Sequence, residues 1–397
     1  MISSISKAPS ERRDFIRLLG GGVVFAAIAS TAGCEGGITN EDASGRIAAA
    51  EADREPAAQD PRRRWLAQAA SAPSSHNMQP WLVDLRQGPA TIVVYADPER
   101  LLPVADPDQR QTMVSLGCFL ELLCLSAQAE GYGCAVKLFP QGEAATSPVA
   151  QVETGHASEK QTPDALLACL PRRHCNRQVY AADRPVAESS LLDLLAAASW
   201  HGTAADGTVN PHDVSRVSQR AADAWRTSLS DERAQLESLR VTRVGQREIE
   251  RFRDGIAVQG FWPELAAAVG LFPRDRVAAP DSAATNRMRK LGEEQANSAA
   301  GWIWLSSTGN GRAQQIAAGR AFVRLHLAST QHGIALQPMS QALEAYPAMV
   351  AQRQELHEAL GLDPRQHTLQ MLVRIGHAPP EPTPALRRGV DQFLKEA

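Results

Sequence analysis

The stretch LELLCLSAQAEGYGCAV, residues 120–136, joins a long apolar run to a glycine and then to a second, shorter apolar run. It lies in a segment, 108–130, that is apolar nearly all round, which predicts a helix buried on most of its sides. Gly131 is placed to end that helix, and residues 134–139 predict the strand that follows it. A helix with so little polar surface has to lie inside the fold, with other elements packed around it.

The second half of the chain repeats this arrangement. In VRLHLASTQHGIALQ, residues 323–337, another predicted buried helix, 312–333, ends on Gly333 and is followed by an extended segment. Two central helices of this kind, one from each half, predict a duplicated unit folded on itself. Further strands are predicted from short β-branched or apolar runs at 91–96, 301–307 and 368–376.

Length and composition set the limits of the interpretation. The chain of 397 residues is long enough for two domains or for one large duplicated unit. With 44% apolar and 21% charged residues it has the composition of a foldable globular protein. The net charge of −3 and the low aromatic content of 5% argue against nucleic acid as a partner.

The N-terminal region has the pattern of an export signal. Arg12–Arg13, followed by Phe15 and a Gly/Ala-rich apolar run, predicts a twin-arginine signal over residues 1–34; an ordinary Sec signal or a chance arginine pair is the alternative. The run ends in STAGC, which predicts either lipid attachment at Cys34 or simple cleavage or an uncleaved anchor. We therefore expect export by the twin-arginine machinery to the periplasm or to a membrane tether, with a small, polar, acidic linker at 35–60.

Between the two central helices the sequence predicts mainly helical segments. Residues 163–173 and 188–200 predict helices, and a long charged region, 211–252, predicts further helix. Residues 254–273 are apolar and broken by Gly and Pro. They predict either a lid over a site or a helical insertion packed into the core.

The cysteines do not indicate a metal or disulfide framework. Five follow Cys34 in the chain: Cys118, Cys124, Cys134, Cys169 and Cys175. Their number is odd and no pair has C-x-x-C spacing, so we expect neither a zinc site nor an essential disulfide. Cys118 and Cys124 lie in a predicted buried helix, where small core residues are the ordinary interpretation. His174 has no second candidate ligand at a suitable spacing, so no metal site is predicted.

A cluster of polar and turn-forming residues follows the first predicted helix. The stretch SAPSSHNMQPW, residues 71–81, can present hydroxyls, a carboxamide and free backbone N–H groups to a flat ring with several carbonyls and nitrogens. A helix C-cap followed by an Asx or ST turn is the structural alternative. The chain has no G-x-S-x-G elbow, so Ser74, Ser75 and His76 do not indicate a serine hydrolase.

Two arginine clusters and one helix start are candidate anion-binding features. PRRHCNR, residues 171–177, carries guanidinium groups whose planar geometry suits phosphate oxygens, although charges that complement a helix C-terminus are an alternative. Arg387–Arg388, after a Pro-rich arm, is placed to close over the same anion. GIALQPMSQALE, residues 333–344, predicts a helix start near Ser340, which is either an acceptor-seeking set of N–H groups or a routine N-cap.

In this order, the segments resemble the motifs of the FMN-dependent nitroreductase family. APSSHNMQPW (72–81) is similar to the family's PSSxNxQPW loop, and RRHCNRQVY (172–180) is similar to its arginine motif. GIALQPMSQALE (333–344) resembles the segment over the flavin, and LQMLVRIGHAPPEPTPALRR (369–388) resembles the last strand and basic arm. Within the family, the chain resembles the Acg-type subgroup, whose members are often exported and fuse two nitroreductase-like halves.

The resemblance implies an α+β nitroreductase-like fold of two fused halves, a pseudo-dimer in one chain, each half with a mostly antiparallel sheet and central buried helices. The first half spans 61–160 and the second spans 161–397, with a lid-like insertion near 230–300 and a C-terminal arm. The first half holds the loop, whereas the second holds the arginine motif, the 337–341 segment and the arm. One FMN per chain and a monomeric state are therefore expected.

The resemblance also assigns roles to particular residues. The predicted cofactor-binding residues are Pro73, Ser74, Ser75, Asn77, Arg173, His174, Cys175, Arg177, Pro338, Met339, Ser340, Gln341, Arg387 and Arg388. The loop residues should face the isoalloxazine edge or the ribityl chain, and the arginines should face the phosphate end. Ser340 is the predicted catalytic residue, because its backbone N–H should point at flavin N5. Cys175 stands where the family often has serine, which removes a good hydrogen-bond donor.

We therefore expect an FMN-dependent oxidoreductase in which hydride enters at flavin N5 and leaves to a flat acceptor of the quinone or nitroaromatic class, in ping-pong turnover. The alternative is a flavin-binding or storage protein, with little or no turnover, in which a lid formed by residues 254–280 excludes NAD(P)H. A purely structural lipoprotein is a third class.

Overall fold

The computed structural model describes residues 60–157, 164–199, 202–258, 279–379 and 385–396. The predicted export signal, most of the predicted linker and most of residues 254–273 lie outside these ranges. The α-helices are α1 Pro61–Ala69, α2 Arg110–Ala129, α3 Glu188–Ala198, α4 Pro211–Ser228, α5 Glu232–Arg240, α6 Gln246–Phe252, α7 Ala283–Asn297, α8 Arg312–Gln331 and α9 Val350–Ala359. The strands are β1 Trp81–Asp84, β2 Thr91–Ala96, β3 Tyr132–Leu138, β4 Ala150–His156, β5 Ala204–Thr208, β6 Thr242–Val244, β7 Ile256–Val258, β8 Gly301–Ser307, β9 Ala335–Pro338 and β10 Thr368–Gly376.

Two four-stranded sheets share one connection pattern. The first sheet has the order β1-β2-β4-β3 and the second has the order β5-β8-β10-β9, and all neighbouring strands in both are antiparallel. Helix α2 connects β2 to β3, and α8 makes the equivalent connection from β8 to β9. The predicted α+β architecture of two fused halves, each with an antiparallel sheet and a central buried helix, is therefore confirmed.

The two central helices pack against each other at a pair of glycines. A Cβ atom on Gly117 of α2 would overlap the Ile316 carbonyl of α8, and one on Gly319 would overlap the Val114 carbonyl. The Cys118 thiol donates to the Gly319 carbonyl oxygen across this contact, at 3.1 Å. Only glycine permits such close backbone approach, so each central helix is buried by the opposite half as well as by its own sheet.

The predicted ends of both central helices are confirmed. Helix α2 ends just before Gly131, which adopts φ +83°, and α8 ends just before Gly333, which adopts φ +65°. Both glycines occupy the left-handed region and turn the chain directly into an edge strand, β3 or β9. Helix α2 is long and apolar enough to cross a membrane, but most of it is buried inside this fold.

Two predictions of helix are correct only in part. Region 211–252 contains α4 and α5 but then forms β6, which pairs in parallel with β7, before α6 begins. Strand β6 is rich in β-branched residues and Gly245 follows it with φ +80°, so the chain leaves the helical path there. Segment 163–173 is helical, but of the 3₁₀ type, Ala165–Arg172; Pro171, near its end, has no N–H to donate and limits its extension.

The C-terminal arm crosses from the second half to the first sheet. Backbone hydrogen bonds join the Val83 N–H to the Phe393 carbonyl and the Lys395 N–H to the Val83 carbonyl, both at 2.8 Å. The Phe393 ring is fully buried and meets Phe119 of α2 edge-on, with 6.1 Å between ring centroids. The arm therefore brings residues 385–392 close to the loop that follows α1.

Candidate functional site

The loop between α1 and β1 has an unusual backbone path. Three of its non-glycine residues lie in the left-handed region: His76 (φ +50°), Asn77 (φ +53°) and Gln79 (φ +53°). Each such residue costs on the order of 1–3 kcal/mol, and asparagine tolerates the conformation best. Hydrogen bonds from the Gln79 N–H to Ser74 Oγ, at 3.0 Å, and from the Ser75 N–H to Ser115 Oγ, at 3.2 Å, hold the turn. Strain of this kind, held by neighbouring contacts, is common at binding sites.

Ser75 and His76 connect the loop to its neighbours. Ser75 Oγ donates to Gln111 Oε1 at 2.7 Å and lies 2.9 Å from His76 Nδ1, while His76 Nε2 lies 3.0 Å from Ser238 Oγ. Burial, followed by the positive charge of the exposed Arg177, lowers the pKa of His76 to about 4, so this imidazole is neutral at pH 7. Within the described ranges no carboxylate orients it, so the loop lacks the third member of a hydrolase triad.

Arg173 lies against the same loop. It is 5% exposed, and its Nη2 donates to the Ser71 carbonyl oxygen at 2.8 Å. Its Nη1 lies 3.2 Å from His326 Nδ1, and its Nε is buried without a hydrogen-bond partner in the part of the chain that the structure describes. Pro73, in the loop itself, is half-buried. The arginine motif and the loop, which are 102 residues apart in sequence, therefore meet in the folded protein.

Arg387 of the C-terminal arm adds a second positive charge, which is half-buried. Its Nη1 donates to the carbonyl oxygens of Ala385 (2.9 Å) and Leu386 (3.2 Å), and its Nε atom is inaccessible and has no hydrogen-bond partner among the described residues. Burial, followed by the positive charge of Arg173, lowers the pKa of Arg387 to about 9. In the part of the chain that the structure describes, neither arginine faces a carboxylate. One buried and one half-buried guanidinium that repel each other, without a counter-ion in the described ranges, make a site that favours an anion.

Arg388, the next residue, points elsewhere. Its backbone N–H donates to Gln79 Oε1 at 2.8 Å, its Nη2 donates to the Trp81 carbonyl oxygen at 3.0 Å, and its Nη1 lies 3.7 Å from Asp97 Oδ2. Asn77 Nδ2 donates to the Leu386 carbonyl oxygen of the same arm at 3.4 Å. Arg388 thus fastens the arm to the loop, and Arg387 is the arginine that faces the cationic site.

Two other predicted residues accompany the arginines. Cys175 is half-buried and close enough to Arg173 and Arg387 to affect the pKa of both guanidinium groups. His174 is half-buried, and its Nδ1 lies 2.9 Å from the Arg172 carbonyl oxygen. Burial lowers the pKa of His174, so it adds no positive charge at pH 7.

The segment after β9 forms a turn with an available donor. Ser340 Oγ donates to the Leu372 carbonyl oxygen at 3.2 Å and accepts from the Leu372 N–H at 3.1 Å, so strand β10 holds the side chain. The Ser340 N–H has no acceptor among the described residues, and Gln341 Oε1 is buried without a partner. Pro338 is half-buried, and the Met339 side chain packs in the core of the second half.

Sequence reasoning missed the residue that fixes the end of the arginine motif. Arg374 of β10 is fully buried, and its guanidinium lies 3.7 Å from the centroid of the Tyr180 ring. It donates to the Gln178 carbonyl oxygen at 2.6 Å, to the Gln295 carbonyl oxygen at 2.7 Å and to Gln337 Oε1 at 2.7 Å. A lone arginine inside the predicted apolar strand 368–376 was the available signal.

The segment 232–258, which contains α5, β6, α6 and β7, contacts the loop from outside. The Gly255 N–H donates to the Asn77 carbonyl oxygen at 3.1 Å. Arg253 Nε donates to the Arg387 carbonyl oxygen at 2.8 Å. This described part of the predicted lid-like insertion therefore touches both the loop and the arm.

A small cavity adjoins the loop at the seam between the two halves. It has a volume of about 50 Å³ and is lined in part by Arg110 and Gln111 of α2 and by Leu343 and Glu344 of the second half. Tyr346 Oη donates to Glu344 Oε2 at 2.5 Å, and burial raises the pKa of Glu344 to about 7. The cavity has room for a few water molecules, so it is not a site for a large ring.

The chain is similar in sequence to two mycobacterial proteins. No family model matches the chain. The chain is 28% identical to Rv3131 of Mycobacterium tuberculosis (strain H37Rv), which is named as a candidate NAD(P)H nitroreductase. The alignment of 349 residues covers 84% of this chain and 90% of that protein. Over 358 residues the chain is 25% identical to the uncharacterised protein Rv3127 of the same strain, with 82% and 90% covered. The name of the first relative supports the resemblance to nitroreductases that the motifs indicated.

Solved nitroreductase structures are also similar to the chain. The FMN-dependent nitroreductase NfnB from Mycobacterium smegmatis, in complex with NADPH, is 19% identical, with a TM-score of 0.34 and 58% of this chain and 96% of that chain covered. A nitroreductase-like family protein from Bacillus cereus is 12% identical, with a TM-score of 0.34 and coverage of 60% and 98%.

Proposed function

We propose that the chain is an FMN-binding redox protein of nitroreductase type, of the Acg-type two-half form, with one FMN between the loop 71–81 and the second half. The single observation that carries the proposal is that the buried Arg173 and the half-buried Arg387 lie near each other beside that loop, with no carboxylate facing either of them among the described residues. The phosphate of FMN supplies the negative charge that such a pair favours. The name of the M. tuberculosis relative supports the same class.

The polar atoms that lack partners fit this cofactor. The Nε atoms of Arg173 and Arg387 suit a phosphate, and the Ser340 N–H suits an acceptor on a ring. Gln341 Oε1, a buried acceptor without a partner, suits a ring N–H. The loop residues of the first half border the same site, where Ser75 Oγ is already hydrogen-bonded to Gln111 and the Asn77 carboxamide to Leu386.

When bound, FMN supplies two-electron chemistry, and we propose hydride transfer through its N5 to a flat acceptor of the quinone or nitroaromatic class in alternating half-reactions. The chain's own part is to anchor and orient the cofactor. Arg173 and Arg387 hold the phosphate end, Ser340 meets the reacting edge, and Arg388 keeps the arm closed on the loop. The buried site also limits the access of water to the reacting groups.

A second candidate function, flavin binding or storage with little or no turnover, is favoured by one observation. Segment 232–258 is hydrogen-bonded to the loop at Asn77 and to the arm at Arg387, so it lies against both elements that border the proposed flavin site. A cover of this kind would keep NAD(P)H from the ring while leaving the flavin bound.

The two functions are separated by anaerobic addition of NADPH to the purified flavin-loaded protein. Prompt loss of the flavin's visible absorbance supports the reductase. Persistent colour, in a protein that light still reduces, supports storage or a different electron donor. The cofactor assignment is tested independently by Arg173→Ala, which should lose flavin on gel filtration, while Arg365→Ala, which changes an exposed arginine elsewhere, should retain it. Flavin retained by Arg173→Ala would remove the phosphate assignment.

We also propose export by the twin-arginine route, with Cys34 as the lipid attachment point; the support is the sequence pattern alone. Replacing both Arg12 and Arg13 by lysine should block export and leave the protein in the cytoplasmic fraction. Radiolabelled fatty acid should be incorporated by the wild-type protein and not by Cys34→Ser. Label in both, or in neither, would overturn the lipid assignment.

A further inference from the structure

His326 joins the central helix of the second half to the arginine motif. It lies on α8, is 1% exposed, and its Nδ1 is 3.2 Å from Arg173 Nη1. Its Nε2 is 3.0 Å from the His174 carbonyl oxygen. The imidazole thus bridges the side chain of one residue of the motif and the backbone of the next.

The two partners determine the state of this imidazole. A guanidinium can only donate and a carbonyl oxygen can only accept, so Nδ1 is the acceptor and Nε2 carries the proton. Protonation of Nδ1 would remove the acceptor and place two cations together. Burial and the positive charge of Arg173 lower the pKa of His326 well below its ordinary value, in agreement with this neutral form.

We propose that His326 is a positioning residue that holds the Arg173 guanidinium toward the phosphate of FMN without neutralising its charge. Buried arginines are commonly held by carboxylates, and a carboxylate here would cancel the positive charge and compete with a bound phosphate. A neutral imidazole provides the acceptor and leaves the full charge available. The inference deepens the proposed function and rests on it, because it requires Arg173 to bind the phosphate.

The proposal predicts a loss of discrimination between FMN and riboflavin, which differ by the phosphate. The flavin-free full chain would be titrated with each flavin, and the ratio of the two dissociation constants measured for each variant. His326→Leu, which removes the acceptor, should lower the preference for FMN at least about tenfold, the effect of losing one hydrogen bond to a charged group. His326→Asn can place Oδ1 near the position of Nδ1, so it should keep the preference within about threefold.

His357→Leu is the matched control. His357 is also buried, 5% exposed, and its Nδ1 lies 2.8 Å from the Arg353 carbonyl oxygen, away from the arginine motif. This variant should keep the wild-type ratio. If His326→Leu does not fold, His326→Asn and His326→Gln are compared instead. The glutamine side chain reaches the position of Nε2 rather than that of Nδ1, so His326→Gln should lose the preference for FMN over riboflavin that His326→Asn keeps.

The outcomes separate this inference from the proposed function. If the wild-type chain binds neither flavin, or binds both equally, the phosphate site itself is wrong. If the wild-type chain prefers FMN and His326→Leu keeps that preference, the positioning role is wrong while the site stands. An equal loss of affinity for both flavins in His326→Leu would indicate a general packing role and would also overturn the proposal.

Discussion

Replacing Arg387 by methionine is expected to leave the stability of the flavin-free protein nearly unchanged while weakening FMN binding. Methionine keeps a long apolar side chain but removes the charge. The pKa of Arg387 is lowered to about 9 because the charged form is buried and lies beside Arg173. Since each pKa unit corresponds to about 1.4 kcal/mol, keeping this arginine charged costs the flavin-free protein on the order of 5 kcal/mol.

Hydrogen bonds that methionine cannot make offset most or all of this gain. Arg387 donates to two backbone carbonyl oxygens, those of Ala385 and Leu386, and each bond from a charged donor contributes about 1.5–3 kcal/mol. The expected net change in the free energy of unfolding is therefore small, between a loss of about 1 kcal/mol and a gain of about 2 kcal/mol. FMN should bind at least about tenfold more weakly, because a charge-assisted contact to the phosphate is lost.

Arg388→Met is the matched control, because the two arginines are adjacent and differ in their partners. Arg388 donates to the Trp81 carbonyl oxygen and lies 3.7 Å from Asp97, so its removal leaves buried acceptors unpaired. Burial also lowers the pKa of Arg388, to about 10, so its charge costs about 3.5 kcal/mol. It donates, however, to three backbone carbonyl oxygens, those of Gln79, Trp81 and Gln392, and these bonds together contribute about 4.5–9 kcal/mol. The variant should therefore lower the free energy of unfolding by about 1–5 kcal/mol.

Urea unfolding of the flavin-free proteins, followed by tryptophan fluorescence, measures the stability term, and titration with FMN measures the binding term. The reasoning is refuted if Arg387→Met is destabilised as much as Arg388→Met. It is also refuted if Arg387→Met binds FMN as tightly as the wild-type protein does.

Three further predictions concern pH and packing. The stability that depends on neutral His76 is present above the ordinary histidine pKa of 6.5 and is lost as the pH falls toward about 4. In His76→Gln the urea midpoint should therefore decrease less between pH 6.5 and pH 4 than it does in the wild-type protein. An equal decrease in both proteins would contradict this. The pH dependence expected from Glu344 runs in the opposite direction. Because the pKa of this carboxyl is raised to about 7, the stability that depends on its neutral form is present below pH 4.5 and is lost as the pH rises to about 7. Glu344→Gln should therefore be more stable than the wild-type protein at pH 8, by about 3 kcal/mol, and equal midpoints there would show that the carboxyl is not buried as described. Gly319→Ala should lower the thermal midpoint, because overlap of the new methyl group with the Val114 carbonyl costs about 1–3 kcal/mol. Gly155→Ala should leave the midpoint unchanged, because the space at its Cβ position is open. Similar midpoints for the two variants would argue against close packing of the central helices.

Local sequence signals identified much of the fold. The apolar periodicity of 108–130 and 312–333 and the glycines at 131 and 333 were enough to predict two equivalent buried helices with defined ends. These signals are local, because helix period and glycine conformation depend on a few neighbouring residues. The duplicated sheet order follows the same internal repeat. Region 211–252 was predicted less well, because β6 is too short to show a period of its own and is stabilised by pairing with β7.

For the candidate site, too, the sequence indicated the segments and the tertiary structure decided their contacts. The loop, the arginine motif, the turn at Ser340 and the basic arm were recognisable as segments, because each has a distinctive run of residue types. The tertiary structure decided which arginine of the arm lies beside Arg173. Phe393 packs against Phe119, and the arm pairs with strand β1 at Val83; these contacts join parts of the chain that are about three hundred residues apart. The roles of His326 and Arg374 were decided in the same way. Each touches residues distant in sequence, and the direction of a side chain depends on packing that no local pattern encodes.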